Sequence, residues 1–150
     1  MVESLKSDPK LINILLVEDN PADVLLTAEA LREGDIPHEI NAVNDGLEAM
    51  DYLRSEGRYA RAVCPDIILL DINLPKKNGF EVLSEIKEDP ALKHIPVIIL
   101  TTSSSKKDIV RAYNLCANCY ITKPIDLDDF FKVIRSIESF WFTIVRLPSR

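Results

Sequence analysis

Five short apolar runs alternate with five stretches of helical spacing, and that alternation predicts an α/β protein. The order is (βα)5: a doubly wound parallel five-stranded sheet with helices on both faces and right-handed crossovers. Two further observations support it. Three of the runs are continuously apolar, as strands buried on both faces are. The length of 150 residues suits one domain, which at that size buries about 68–70% of the surface its unfolded chain exposes.

The elements follow in order. Residues 11–17 (LINILLV) form the first strand, and residues 21–32 a helix carrying Val24, Leu25, Ala28 and Leu31. Residues 38–43 (HEINAV) alternate more weakly as a second strand. Residues 45–54 place Leu47, Met50 and Leu53 on one helical face, with Asp45 as the N-cap. Residues 66–70 (DIILL) are the third strand, and residues 78–87 a helix with Phe80, Leu83 and Ile86. Residues 96–100 (PVIIL) are the fourth strand, and residues 105–115 a helix with Ile109, Val110, Ala112 and Tyr113. Residues 119–121 form the fifth strand, and residues 126–145 the last helix. Residues 1–10 read as a leader, 11–145 as the domain and 146–150 as a tail.

Composition excludes several classes. Eighteen basic against 24 acidic residues leave a net charge of −6, and no basic run exceeds Lys76-Lys77 or Lys106-Lys107. That argues against a nucleic-acid binder relying on phosphate neutralisation. The four glycines (34, 46, 57 and 79) are too scattered to build a phosphate loop. No apolar run approaches the roughly 18–20 residues of a membrane span. The N-terminus lacks a signal-peptide layout, and three cysteines suit a reducing compartment. The cytoplasm is the expected location, with no membrane partner.

Parallel α/β sheets carry their sites outside the carboxyl ends of the strands. There the chain has Glu18-Asp19, Asp71, Thr101 and Lys123-Pro124, one group per strand except the second. Each alone is ordinary, since acids at strand ends are usually solvated. Together, three carboxylates repel one another unless a cation sits among them. An all-oxygen set without His or Cys favours Mg²⁺ over zinc. A metal and a lysine around a carboxylate are the parts phosphoryl transfer needs. Asp71 ends the most apolar run and is the expected nucleophile. Glu18, Asp19 and the backbone carbonyl of Asn73 would complete the metal shell. Lys123 and Thr101 would contact phosphoryl oxygens.

The chain resembles the receiver domain of two-component response regulators over residues 11–145. The resemblance rests on VEDN (17–20), NDG (44–46), PDIILLD (65–71), LPKKNG (74–79), IPV (95–97) leading to Leu100-Thr101, and YITKP (120–124). It implies a flavodoxin-like receiver fold, Asp71 as phosphoacceptor, Glu18 and Asp19 as the Mg²⁺ pocket, and Lys123 as the phosphate-binding lysine before a cis bond to Pro124. It also implies a two-state switch in which Thr101 moves toward the phosphoryl group and Tyr120 turns inward. The ordinary reading of Tyr120 is a half-buried strand aromatic. The segments DINLPKKN (71–78), LSEIKEDP (83–90) and FWFTIVRLP (140–148) are similar to single-domain regulators that partner cyanobacterial phytochrome histidine kinases. On that reading the protein is a stand-alone, non-enzymatic switch that signals through protein contacts.

Other signals compete. Cys116 and Cys119 form a C-x-x-C where receivers commonly carry glycine. The pair follows a helix, so the helix dipole has the wrong sign for a redox thiol. His38 and His94 lie away from the strand carboxyl ends. On the last helix Leu127, Phe130, Ile134, Ile137, Trp141 and Val145 share one face, with Val133 and Phe140 on one flank and Phe142 on another. Such flanks suit a partner surface, and the resemblance implies a homodimer through the fourth helix, fifth strand and fifth helix. The main alternative is a Mg²⁺-dependent aspartyl-phosphate phosphatase of the haloacid dehalogenase type. That chemistry wants an acid two residues after the nucleophile, where this chain has Asn73. A flavodoxin-like electron carrier would meet repulsion from Glu18 and Asp19 at its phosphate loop. A degenerate receiver would not keep the full acidic set and Lys123.

Overall fold

The computed structural model describes residues 11–34, 36–124 and 126–141. The expectations for residues 1–10 and 142–150, Phe142 and Val145 among them, lie outside the described residues. The described residues form β1 (Ile12–Val17), α1 (Pro21–Arg32), β2 (His38–Val43), α2 (Gly46–Leu53), β3 (Ile67–Leu70), α3 (Gly79–Glu88), β4 (Val97–Thr101), α4 (Lys106–Asn114), β5 (Cys119–Thr122) and α5 (Leu127–Ser139). All strands pair in parallel, in the order β2-β1-β3-β4-β5. The expected α/β (βα)5 sheet is the one found. A 3₁₀ turn over Gly57–Tyr59, not expected from the sequence, connects α2 toward β3.

Burial explains the strand order. Every residue of β3 and β4 is buried, because helices cover both faces of these inner strands. The weakly alternating β2 is an edge and only Val43 in it is buried. The sheet divides the core into two apolar layers. Leu15, Val17, Ile68, Leu70 and Ile99 point to one side with Phe80, Leu83 and Ile86 of α3. Ile14, Leu16, Leu69, Ile98 and Leu100 point to the other with Leu31 of α1 and Phe130, Ile134 and Ile137 of α5. Strand residues therefore alternate between layers, the period-2 geometry expected of pleated chain.

Local chemistry sets the helix starts. Asn20 caps α1 by accepting from Ala22 and Asp23 N–H, with Pro21 at the first helical position. Asp45 caps α2 as expected. Asn78 and Glu81 form a reciprocal capping box on α3. Asp126 caps α5.

Four amphipathic stripes differ from expectation, and Leu25 of α1 and Leu47 of α2 lie exposed. Leu127 is 53% exposed, because α5 meets the core only from Phe130 onward. Buried Glu138 shares the core-facing side with Ile134 and Ile137, and lies against Gly34 after α1. In α4 only Ala112 is fully buried, leaving Val110 and Tyr113 about half exposed.

Close backbone approach fixes the loop after β3. A Cβ on Gly79 would lie 2.4 Å from the Asp71 carbonyl oxygen and 2.4 Å from Ile72 Cα. The Gly79 N–H donates to the Ile72 carbonyl at 3.0 Å. Neither obstacle is a flexible side-chain end, so Gly79→Ala must move backbone. We expect it to cost about 1–3 kcal/mol of stability, read by denaturant unfolding. An unchanged midpoint would contradict this packing.

Candidate functional site

The parallel strands end on one side of the sheet, and the backbone there is knit together. Asp71 N–H donates to the Val17 carbonyl at 3.1 Å, and Lys123 N–H donates to the Thr101 carbonyl at 2.6 Å. The ends of β1 and β3, and of β4 and β5, are thus joined at one rim.

Asp71 is 7% exposed and its two oxygens have different neighbours. Oδ1 accepts from the Thr101 hydroxyl at 2.8 Å and from the Asn73 N–H at 2.9 Å. Oδ2 lies 3.3 Å from Lys123 Nζ. Thr101 is fully buried, and the Asn73 amide reaches its hydroxyl at 3.5 Å. Glu18 is 3% exposed. Its Oε1 accepts from Lys123 and its Oε2 from the Asn20 N–H at 3.1 Å. Asp19 is exposed beside it. Glu18, Asp19 and Asp71 each place a carboxylate oxygen within 4.8 Å of the others. The expected acid set, Thr101, Asn73 and Lys123 are therefore brought together.

The sequence reading missed Asp23. Its carboxylate accepts from Lys123 Nζ at 3.0 Å, across 100 residues. An acid in a helix's first turn has an ordinary explanation in the helix dipole, which hides any further use. Asp23 stands three residues after the cap, where an acid usually reaches back to the cap's N–H. Here Glu18 takes that N–H, which leaves Asp23 to face the lysine.

Burial is the largest single influence on both Glu18 and Lys123, but it prevails only at Glu18. Burial pushes the Glu18 carboxyl above its ordinary range, and the Asp71 charge adds to this against the opposing pull of Lys123. Burial also works against the Lys123 charge. Hydrogen bonds to Glu18 and Asp23, with the field of Asp71, outweigh it and raise the ammonium's pKa. Three carboxylates, those of Glu18, Asp23 and Asp71, thus gather around one ammonium.

A divalent cation fits this donor set. The three converging groups offer hard oxygens and a surplus of negative charge, which suits an oxygen-seeking ion. The elements behind them are strand ends held by backbone hydrogen bonds, so the oxygens are already assembled.

Several expectations need correction or addition. The Lys123–Pro124 bond is trans, with no cis peptide among the described residues. A proline separates the two isomers by only about 0.5–1 kcal/mol. Tyr120 is half-buried against the core, and its hydroxyl donates to the Ser103 carbonyl at 2.8 Å. That bond ties the fifth strand to the loop that follows Thr101. Cys116 takes φ +71°, the left-handed conformation that glycine adopts readily, at the turn leaving α4. The thiols of Cys116 and Cys119 are free. His38 Nδ1 lies 2.9 Å from the Ile36 carbonyl oxygen, and His94 is exposed in the turn before β4.

The response regulator receiver domain profile matches residues 14–135, and the chain belongs to that family. Proteins of this family are generally signalling switches that bind a divalent metal. A relative, response regulator Rcp1 of Synechocystis sp., is 51% identical over 136 residues, spanning 91% of this chain and 92% of its own. The phosphorylated cyanobacterial phytochrome response regulator RcpA superimposes with a TM-score of 0.91 at 54% identity, covering 93% of this chain and all of its own. The Mn²⁺-bound form of Rcp1 gives 0.89 at 50% identity, over 92% of this chain and 99% of its own.

Removing Lys123, the cation that pairs with these acids among the described residues, tests the charge balance. We expect Lys123→Met to lower stability in EDTA by about 3–5 kcal/mol, because buried carboxylates lose their partner. Mg²⁺ should then recover more stability in the variant than it adds to the wild type. Denaturant unfolding with and without Mg²⁺ reads both. A neutral effect in EDTA would show that the ammonium is not what holds the acids together.

Proposed function

We propose that the chain is a phosphorylation-dependent switch that accepts a phosphoryl group on Asp71 from a sensor histidine kinase of the phytochrome type. The observation that carries this is the Asp71 carboxylate itself. It is buried at the end of an apolar strand, between the Thr101 hydroxyl, the Lys123 ammonium and two further acids. The relatives that are a phosphorylated regulator and a metal-bound regulator support the same chemistry.

Glu18, Asp19, Asp71 and the Asn73 carbonyl would hold Mg²⁺, which supplies positive charge to the phosphoryl oxygens. An Asp71 oxygen attacks phosphorus. The new oxygen–phosphorus bond forms as the donor's phosphorus–nitrogen bond breaks, and the imidazole nitrogen keeps the electron pair. Lys123 neutralises a phosphoryl oxygen, and the Thr101 hydroxyl shifts its donation from Asp71 to another. Tyr120, tied to the loop after Thr101, carries the change to the outer face. Output is then a change of surface, with no catalytic turnover of a second substrate. The phosphatase reading is disfavoured by Asn73, which cannot supply the proton transfers that rapid hydrolysis needs.

The partner face is that of α4, β5 and α5, and the partner is a second copy. Val110, Tyr113 and Phe140 are each about half exposed there. Val133, Phe140, Trp141 and Ile121 line an apolar groove of about 470 Å³. The net charge of −6 favours protein over nucleic-acid partners. Residues 11–145 form the functional unit, and it works in the cytoplasm.

Acetyl phosphate with Mg²⁺ should add one phosphoryl group, lost in alkali or hydroxylamine, and Asp71→Asn should abolish it. Mass spectrometry reads this, and labelling that survives the substitution would refute the assignment. Val133→Asp with Phe140→Asp should weaken self-association at least tenfold in sedimentation, about 1.4 kcal/mol. An unchanged dimer would place the interface elsewhere.

A further inference from the structure

Lys123 has three N–H donors, and all three have a carboxylate. Glu18 Oε1 takes one, Asp23 Oδ2 takes one at 3.0 Å, and Asp71 Oδ2 takes one at 3.3 Å. The lysine side chain is 4% exposed, so water does not compete freely for the ammonium. A phosphoryl oxygen arriving on Asp71 therefore finds no spare donor and takes over the one Asp71 held; because it lies beyond the carboxylate, the ammonium must shift outward to follow it, away from another partner.

The three partners are not equally replaceable. Asp71 carries the incoming group, so its bond is exchanged rather than lost. Glu18 is the most buried of the three and its second oxygen is committed to the Asn20 N–H. Asp23 is the outermost, with its side chain 27% exposed, and water can solvate it when the lysine leaves. Asp23 also sits on α1, held there by the Asn20 cap through its own N–H at 3.3 Å.

We propose that Asp23 is a positioning residue for the transfer. It tethers Lys123 toward α1 in the resting protein, and phosphorylation of Asp71 draws the lysine off it. Asp23 thereby opposes phosphorylation and links the chemistry to the first turn of α1. That turn belongs to the helix that packs on α5, where Arg135 reaches Glu33 at 3.6 Å. This inference rests on Asp71 being the phosphoacceptor.

The test compares full-length wild type with Asp23→Asn, Asp23→Ala and Glu29→Gln, the last removing an exposed α1 charge remote from the site. Labelling by acetyl phosphate at saturating Mg²⁺ should be about fivefold faster in Asp23→Ala, the weight of one ordinary hydrogen bond. Asp23→Asn, which keeps a weaker acceptor, should fall between, and Glu29→Gln should match wild type. Nitrogen NMR of the Lys123 ammonium supplies a readout that a structural role would not move. Its resonance should differ between resting wild type and Asp23→Ala, then coincide once beryllium fluoride stands in for the phosphoryl group. If Asp23→Ala does not fold, Asp23→Asn decides: faster labelling supports the tether, and an equal rate overturns it. Labelled wild type with an equal or slower Asp23→Ala and an unmoved Lys123 resonance overturns the tether alone. Wild type that takes no label overturns the phosphoacceptor reading, and the tether falls with it.

Discussion

One ammonium holds the pocket together. Parallel strands send their carboxyl ends to the same side, and here that geometry delivers Glu18, Asp19 and Asp71 to one place, with Asp23 added by the helix that follows. Like charges at such separations repel by about 1 kcal/mol in water and several times that in a less polar setting. Lys123, paired with Glu18, Asp23 and Asp71, is the group that makes their assembly tolerable. It arrives from β5, at the far edge of the sheet, so its position depends on the whole strand order being correct.

The scaffold is stiff where the chemistry is. β3 and β4, which carry Asp71 and Thr101, are buried along their full length. The loop after β3 is clamped by α3, which approaches so closely at Gly79 that no side chain fits. A Cβ on Gly46 at the start of α2 would likewise strike the Lys77 carbonyl oxygen of that loop. Compliance sits elsewhere, in α4, whose single fully buried residue is Ala112 and which touches the sheet through few side chains. A displacement of α4 would therefore disturb little of the core.

Much of this was legible in the chain. Continuous apolar runs such as IILL have no polar face to offer water, so inner strands announce themselves. Asp45 marks a helix start by its type and place before Leu47, Met50 and Leu53. The strand-end rule then assembled the acids, Thr101 and Lys123 without knowledge of side-chain geometry. What escaped were residues whose type has a common alternative explanation. Asp23 reads as a dipole-friendly acid. Glu138 reads as a solvated charge, although its spacing from Ile134 puts it on the buried face. Leu127 reads as core because periodicity carries no information about where a helix first meets its sheet. The isomer before Pro124 rests on a small energy difference that residue type does not settle.

The left-handed turn at Cys116 has a practical side. It places an exposed thiol at the entrance to β5, the opposite end of that strand from Lys123. A spectroscopic reporter attached there, once exposed Cys64 is replaced, would watch the turn between α4 and β5 from outside the acid pocket. The residue standing where receivers commonly carry glycine thus supplies a native handle on that turn.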